Sequence, residues 1–225
     1  MSARPEPGPV GVFGGTFDPI HYGHLRTAFE LLEAARLDHV RFVPAGRPPH
    51  RDAVHADAAT RVALVAAAIG DEPRFVLDER ELQRAGPSYT VDTLTDLRAE
   101  FPARPLCLVI GMDAFLGLPR WHRWREILAL AHLLVAHRPG WRAPENGPLG
   151  ELLQERGTAE AGALQAARAG RVLVHEVTQL EISSSAIREL ARAGREPRYL
   201  VPDPVCRLLA GSGCYASQPQ RGIDG

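Results

Sequence analysis

A doubly wound α/β fold, with a mostly parallel sheet of about six strands, is the fold class that the sequence predicts. Most of its β-rich runs are continuous and apolar, as expected of strands that helices cover on both faces. Helical patterns lie between these runs, and such alternation implies right-handed crossovers and ligands bound beyond the carboxyl ends of the strands. The six runs occupy 10–14, 40–44, 75–79, 106–111, 132–137 and 171–177.

Length, composition and charge predict one globular domain. The 225 residues fit a single domain over 1–211, followed by a flexible tail at 212–225. Hydrophobic residues make up 45% of the chain, which excludes a disordered or collagen-like protein. The formal net charge of -1 gives no general attraction for nucleic acid or an anionic membrane. No apolar run approaches the ~20 residues of a bilayer span, and the first residues lack a secretion signal, so we expect a cytoplasmic protein.

Residue usage excludes several classes of chemistry. All 26 basic residues are arginine. A chain without lysine is not a Schiff-base enzyme, a protein kinase or a protein with a lysine-containing phosphate loop. The three cysteines have no paired spacing, so we predict plain thiols and no thiolate zinc site.

The first strand is followed by GGTFDPIHYGH, residues 14–24, and then by a helix predicted from Gly23 to Leu37. Gly14 and Gly15 permit a positive φ and the close approach of a ligand. His21 and His24 flank the helix start, where unpaired N–H groups and the helix dipole favour a phosphate. The segment therefore predicts an anion site, with a histidine-bound metal or a purely structural turn as the alternatives.

Two connections depart from the regular alternation. Residues 45–55 are polar and rich in proline, which is typical of an exposed functional loop. Residues 141–170 carry a weakly apolar pattern of Ala, Glu and Arg, so we predict a helical insertion of surface helices.

A second motif, EISSSAIRE at 181–189, follows the last predicted strand and leads into a helix. Its three serines favour a helix start. A capping box that began at Ser185 would place Glu or Gln at 188, but the chain has Arg188, a cation that the helix dipole disfavours there. Hydroxyls, free N–H groups and a guanidinium together predict a site for the terminal phosphates of a nucleoside triphosphate.

GGTFDPIHYGH resembles the signature of the nucleotidyltransferase superfamily that carries H-x-G-H, and EISSSAIRE resembles its second motif, with Ser185 where threonine is commoner. The resemblance implies a Rossmann-like nucleotidyltransferase fold and catalytic roles for His21, His24 and Arg188. Class I aminoacyl-tRNA synthetases share H-x-G-H, but their second signature needs lysine. The implied ATP site comprises Gly14, Gly15, Thr16, Phe17, His21, His24, Gly111, Asp113, Ile182, Ser183, Ser184, Ser185 and Arg188.

Four middle segments, 44–51, 86–94, 111–128 and 137–140, are similar to bacterial nicotinate-nucleotide adenylyltransferases. This resemblance implies transfer of the adenylyl group of ATP to nicotinate mononucleotide, with pyrophosphate released. Trp121 offers a flat surface for the pyridine ring, and Tyr89 and Thr90 offer donors for its carboxylate. The implied mononucleotide site comprises Thr16, Arg47, Arg51, Tyr89, Thr90, Asp113, Trp121 and Arg138.

The same resemblance implies that Mg²⁺ arrives with ATP and that the protein itself provides no metal site. It implies small-molecule substrates, with no nucleic-acid or membrane partner, and it leaves a homo-oligomer open. Three other functions remain as alternatives: adenylyl transfer to nicotinamide mononucleotide, adenylyl transfer to phosphopantetheine, and non-catalytic sensing of a nucleotide.

Overall fold

A parallel sheet with helices on both faces forms the centre of the molecule. The computed structural model describes residues 8–48, 54–178 and 180–215. Its strands are β1 Val10–Gly15, β2 His39–Pro44, β3 Phe75–Leu77, β4 Leu106–Gly111, β5 His132–His137, β6 Gly157–Thr158 and β7 Val172–Glu176. Its α-helices are α1 Tyr22–Ala34, α2 Ala58–Ile69, α3 Arg80–Gln83, α4 Thr90–Glu100, α5 Met112–Gly117, α6 Trp124–Leu130, α7 Gly147–Arg156, α8 Gly162–Gln165, α9 Ser184–Arg192 and α10 Asp203–Ser212, and a 3-10 turn spans Leu118–Arg120.

The order of the strands in the sheet is β3-β2-β1-β4-β5-β7-β6, and every neighbouring pair is parallel. The chain runs outward from β1 through β2 to β3, and then returns to the other side of β1 with β4. The direction of winding therefore reverses between β1 and β4. In open α/β sheets the crevice beyond such a reversal is where ligands bind.

Alternating side chains of the strands supply two separate cores, one on each face of the sheet. Within β4, Cys107 and Val109 point into one cluster, whereas Leu106, Leu108 and Ile110 point into the other. The first cluster is covered by α1, α2, α9 and α10, and the second by α4, α5, α6 and α7. Burial on both faces explains why the strands read as continuous apolar runs.

The doubly wound parallel fold is confirmed, and each of the six predicted runs contains an observed strand. The short edge strand β6 was not predicted, because its two residues lie within the 141–170 segment that we assigned to surface helices. Gly157 and Thr158 pair with β7, and this segment also buries Leu149, Leu152 and Leu164. The segment is thus part of the sheet and its core as well as helical.

The end of the chain differs from the predicted tail at its first residues. Helix α10 continues to Ser212, Gly213 turns the backbone with a φ of 59°, and Tyr215 is only 4% exposed. Residues 216–225 lie outside the described residues. No helix in the described ranges has the length and the hydropathy that crossing a membrane would need.

Candidate active site

The turn between β1 and α1 forms the floor of the site. Neither Gly14 nor Gly15 takes a positive φ, so that expectation was wrong, and the left-handed residue is Phe17 with a φ of 48°. A Cβ on Gly15 would lie 2.9 Å from the Phe17 ring, while a Cβ on Gly14 would meet no atom within 4 Å. Gly15 is therefore required by internal packing, and Gly14 leaves open space above the backbone.

The two histidines of H-x-G-H stack at the start of α1. Their ring centroids lie 3.8 Å apart, and the backbone N–H of His21 donates to Nδ1 of His24 at 3.3 Å. In a capping box the backbone N–H of the N-cap residue donates to the side chain of the third helical residue, and here these residues are His21 and His24. The three-residue spacing of the histidines therefore also helps to begin helix α1. Because Nδ1 of His24 accepts, the proton of its neutral ring lies on Nε2.

His21 is buried, and burial lowers its pKa from 6.5 to about 4. The imidazole is therefore neutral at neutral pH. Its Nδ1 is buried without a hydrogen-bond partner among the described residues. A neutral ring in this place can donate a hydrogen bond to a phosphate oxygen without first losing or gaining a proton.

The second motif closes directly onto the first. Ser184 Oγ donates to the carbonyl of Pro19 at 2.9 Å, and one Arg188 N–H donates to the carbonyl of Asp18 at 2.7 Å. These partners lie 165 and 170 residues apart along the chain. The two motifs, which lie near opposite ends of the chain, therefore meet in the folded protein.

The local geometry of the second motif corrects the capping argument. The N-cap of α9 is Ser183, whose Oγ accepts from the N–H of Ala186 at 3.1 Å. Arg188 is therefore the fifth residue of the helix rather than the third, and its guanidinium also donates to Ser185 Oγ at 3.1 Å. Two of its N–H groups are bound to protein oxygens, so Arg188 acts first as a bridge between the motifs.

A mostly apolar cavity of about 220 Å³ opens beside the ends of β1 and β4. It lies between the first-motif turn and the start of α4, and Tyr89 stacks on His122 at its edge, with ring centroids 4.3 Å apart. The predicted mononucleotide residues Thr16, Tyr89, Thr90 and Trp121 line this cavity, as do Gly14 and Gly15.

A second cavity of about 310 Å³ lies on the other side of the same strand ends. Both histidines of the first motif line it, with His24 half-buried and His21 buried. His21, His24, Gly111, Asp113 and Ile182 line it, all of them from the predicted ATP set. The remaining lining residues include Arg138, His137 and Trp141.

Some predicted residues lie elsewhere. Arg138 and Asp113 line the second cavity and not the first, although both were assigned to the mononucleotide. Phe17 is buried in the core and lines neither cavity. Arg47 is exposed, and its backbone N–H donates to Ser88 Oγ at 3.1 Å. Arg51 lies outside the described residues.

Sequence reasoning missed Glu81, a buried acid in the wall of the first cavity. Thr93 Oγ1 donates to its carboxyl at 2.6 Å, while burial raises the pKa of Glu81 above its usual range. A Cβ on Gly46 would lie 2.4 Å from the Glu81 carbonyl, so glycine is required in the opposing loop. The only sign of Glu81 in the sequence was a charged residue shortly before the Ser-Tyr-Thr segment. A charged residue in that position is equally typical of a helix exposed to solvent.

The described residues contain no group of three or more His, Cys, Asp or Glu side chains that could hold a metal ion. In the part of the chain that the structure describes, the histidine pair of the first motif is therefore not part of such a group. This donor set suits phosphate better than a metal bound by protein side chains alone.

Comparisons with known proteins match most of the chain. The model of the cytidylyltransferase-like family matches residues 12–190. A protein of Aeromonas hydrophila named "Probable nicotinate-nucleotide adenylyltransferase" is 45% identical and covers 92% of this chain and 97% of its own length. A protein of Acidithiobacillus ferrooxidans with the same name is 47% identical, with coverages of 92% and 95%.

Solved structures with low sequence identity share the fold. A Plasmodium falciparum nicotinic acid mononucleotide adenylyltransferase, solved in complex with NaAD, aligns with a TM-score of 0.70 at 14% identity. The alignment covers 92% of this chain and 97% of that chain. At this identity the likeness concerns the fold alone.

Proposed function

The chain belongs to the cytidylyltransferase-like family and, within it, to the nicotinate-nucleotide adenylyltransferases, and from this membership we propose how its two cavities carry out adenylyl transfer. The reaction joins ATP and nicotinate mononucleotide to give deamido-NAD and pyrophosphate. It is a nucleotidyl transfer of NAD biosynthesis.

The observation that carries the proposal is the position of the two cavities at β1 and β4, where the winding of the sheet reverses, since residues of both strands line each cavity. The first cavity has the apolar walls and the aromatic rings that suit a pyridine ring. The second is lined by the histidine pair and Arg138, which suit a triphosphate. A mononucleotide in the first and ATP in the second would bring the 5′-phosphate and the α-phosphate together at the first-motif turn.

In the proposed reaction an oxygen of the mononucleotide 5′-phosphate attacks the α-phosphorus of ATP in line. The new P–O bond forms as the bond to pyrophosphate breaks, with no covalent enzyme intermediate. The nucleophile is already an anion, so no general base is required, and the rate comes from alignment and from stabilisation of the charge on the phosphates. His21 and His24 would donate hydrogen bonds to the phosphates. Arg188 and the serines at the start of α9 would hold the far end of the triphosphate.

Mg²⁺ remains a prediction for this chain. ATP carries the phosphate oxygens that Mg²⁺ prefers, and bound Mg²⁺ would neutralise part of the triphosphate charge. The protein's own contribution would be limited to residues at the edge of the second cavity, of which Asp113 offers a carboxylate.

Pyrophosphate release by the purified protein tests this function. We would compare nicotinate mononucleotide, nicotinamide mononucleotide and phosphopantetheine as acceptors, with His24→Ala as the control for contaminating activity. A clear preference for nicotinate mononucleotide, abolished in the variant, is the expected result. Preference for another acceptor would overturn the substrate assignment, and ATP binding without turnover would favour a sensor.

Two further proposals accompany the proposed function. We propose a cytoplasmic location, and a single domain over 1–211 in which 141–170 is a helical insertion. A homo-oligomer stays open, and gel filtration with light scattering of the full chain would determine it.

A further inference from the structure

A buried polar cluster lies beneath the first-motif turn and outside both cavities. At its centre is Asp18, which is 2% exposed. Its carboxylate accepts from the Tyr215 hydroxyl at 2.6 Å, from the His55 N–H at 2.8 Å and from the Ala56 N–H at 3.1 Å. Tyr215 lies 197 residues away along the chain, near the end of the described residues.

The same turn provides the acceptors for the second motif. The backbone carbonyl of Asp18 accepts from Arg188, and that of Pro19 accepts from Ser184. The peptide units that join the two motifs are thus those next to the Asp18 carboxylate. A shift of this carboxylate would move the carbonyl that holds Arg188.

A second buried side chain holds the beginning of the turn. Arg61 of α2 is 1% exposed and donates to the carbonyl of Thr16 at 2.9 Å. Its positive charge also interacts with Asp18. Contacts from α2, from α9 and from the segment after α10 therefore hold the turn. The contact from the segment after α10 is the hydrogen bond that the Tyr215 hydroxyl donates.

We propose that Tyr215 is a positioning residue for the transfer reaction. Through its hydrogen bond to Asp18, Tyr215 fixes the turn that presents His21 and that contacts the second motif. Tyr215 lines neither cavity, so it acts through Asp18 and touches no substrate. This inference rests on the proposed function. It adds a residue from the end of the chain to a site built from the two motifs.

The electrostatics of Asp18 support this role. Burial acts to raise the pKa of Asp18, but the hydrogen bonds from Tyr215, His55 and Ala56 and the charge of Arg188 outweigh it and lower the pKa. The side-chain hydrogen bond from Tyr215 is the largest of these lowering effects. Without the hydroxyl, Asp18 would take up a proton at a higher pH, and the turn would lose its anchoring charge earlier on acidification.

The test compares Tyr215→Phe, which removes only the hydroxyl, with Tyr215→Ala, which also removes the packing of the ring. Tyr199→Phe is the matched control, because Tyr199 is 79% exposed and lines neither cavity. We expect Tyr215→Phe to lower kcat by on the order of tenfold, the effect of one hydrogen bond to a charged group, with KM for the mononucleotide unchanged. We also expect the acid limb of its pH profile to move to higher pH.

A purely structural role predicts a different result. If the ring alone matters, Tyr215→Phe restores the kcat and the pH profile that Tyr215→Ala loses, and the inference is overturned. A double-mutant cycle tests the route through Asp18: Tyr215→Phe should cost little further activity in an Asp18→Asn background. Full additivity of the two substitutions would contradict the proposed coupling.

The failure of the proposed function is recognised separately. If the wild-type protein turns over no mononucleotide, the proposed function fails, and the affinity for a non-hydrolysable ATP analogue becomes the readout for Tyr215. Weaker binding in Tyr215→Phe than in Tyr199→Phe would support the positioning role. Equal affinities in these two variants and the wild type would overturn it.

Discussion

The buried imidazole of His21 makes the stability of the protein depend on pH in a defined window. The pKa of His21 falls from 6.5 to about 4 because burial disfavours the charged ring. The unfolded chain therefore binds a proton between these two pH values while the folded protein does not. Stability is fully present above pH 6.5 and is lost as the pH falls toward 4. Replacing His21 by Gln removes the titrating group and with it this contribution.

The magnitude follows from the difference between the two pKa values. A difference of about 2.5 units corresponds to about 3 kcal/mol of unfolding free energy, of which about 2 kcal/mol is already lost at about pH 5. The side chain is almost completely buried, so solvent screening does not reduce this value substantially. A phosphate bound at His21 would oppose the loss, since an anion stabilises the imidazolium.

Urea denaturation at about pH 7 and about pH 5 measures this effect. The free energy of unfolding should fall by about 2 kcal/mol more in the wild type than in His21→Gln over this interval. His122→Gln, which removes an exposed histidine, is the control for the loss of one histidine. Equal pH dependence in the wild type and His21→Gln would refute the assignment of a neutral, buried His21.

Three further predictions concern other contacts of the site. His24→Ala should lower kcat by on the order of 10² with an unchanged circular dichroism spectrum, and wild-type turnover would contradict a donor role. Trp121→Ala should raise KM for the mononucleotide about tenfold and leave KM for ATP nearly unchanged, whereas equal increases would make Trp121 a structural residue. Arg61→Met should destabilise the fold by about 2 kcal/mol in urea denaturation, because the carbonyl of Thr16 loses its buried donor; an unchanged midpoint would refute this.

The parallel sheet could be predicted because strands buried on both faces leave an unmistakable apolar run. β4, with all residues from Leu106 to Ile110 buried, is the clearest example. β6 lacks such a run, since its two residues Gly157 and Thr158 are defined only by their pairing with β7. Edge strands of this length are determined by tertiary contact, and neither periodicity nor propensity in the sequence predicts them.

The part of the site that could be predicted lies on contiguous motifs at helix starts. His21, His24 and the serines before α9 were found because turn residues and caps have local signatures. Glu81 and Tyr215 could not be found in this way, because their partners belong to other elements. Glu81 accepts from Thr93 of α4, and Tyr215 donates to Asp18, 197 residues away in the sequence. Arg138, which the resemblance placed in the mononucleotide site, lines the second cavity, because the sequence does not state which of two neighbouring cavities a loop borders.

The arrangement around the first-motif turn explains how a site without lysine can hold a triphosphate. Arg188 already donates to the carbonyl of Asp18 and to Ser185, and Arg61 is buried on the carbonyl of Thr16. These cations therefore stabilise the turn before any substrate binds. The imidazoles of His21 and His24 line the second cavity and would face the phosphates. Imidazoles held on a fixed turn need no reorganisation during transfer, so the proposed role of the buried cluster, which keeps this turn in place, would be to contribute to catalysis.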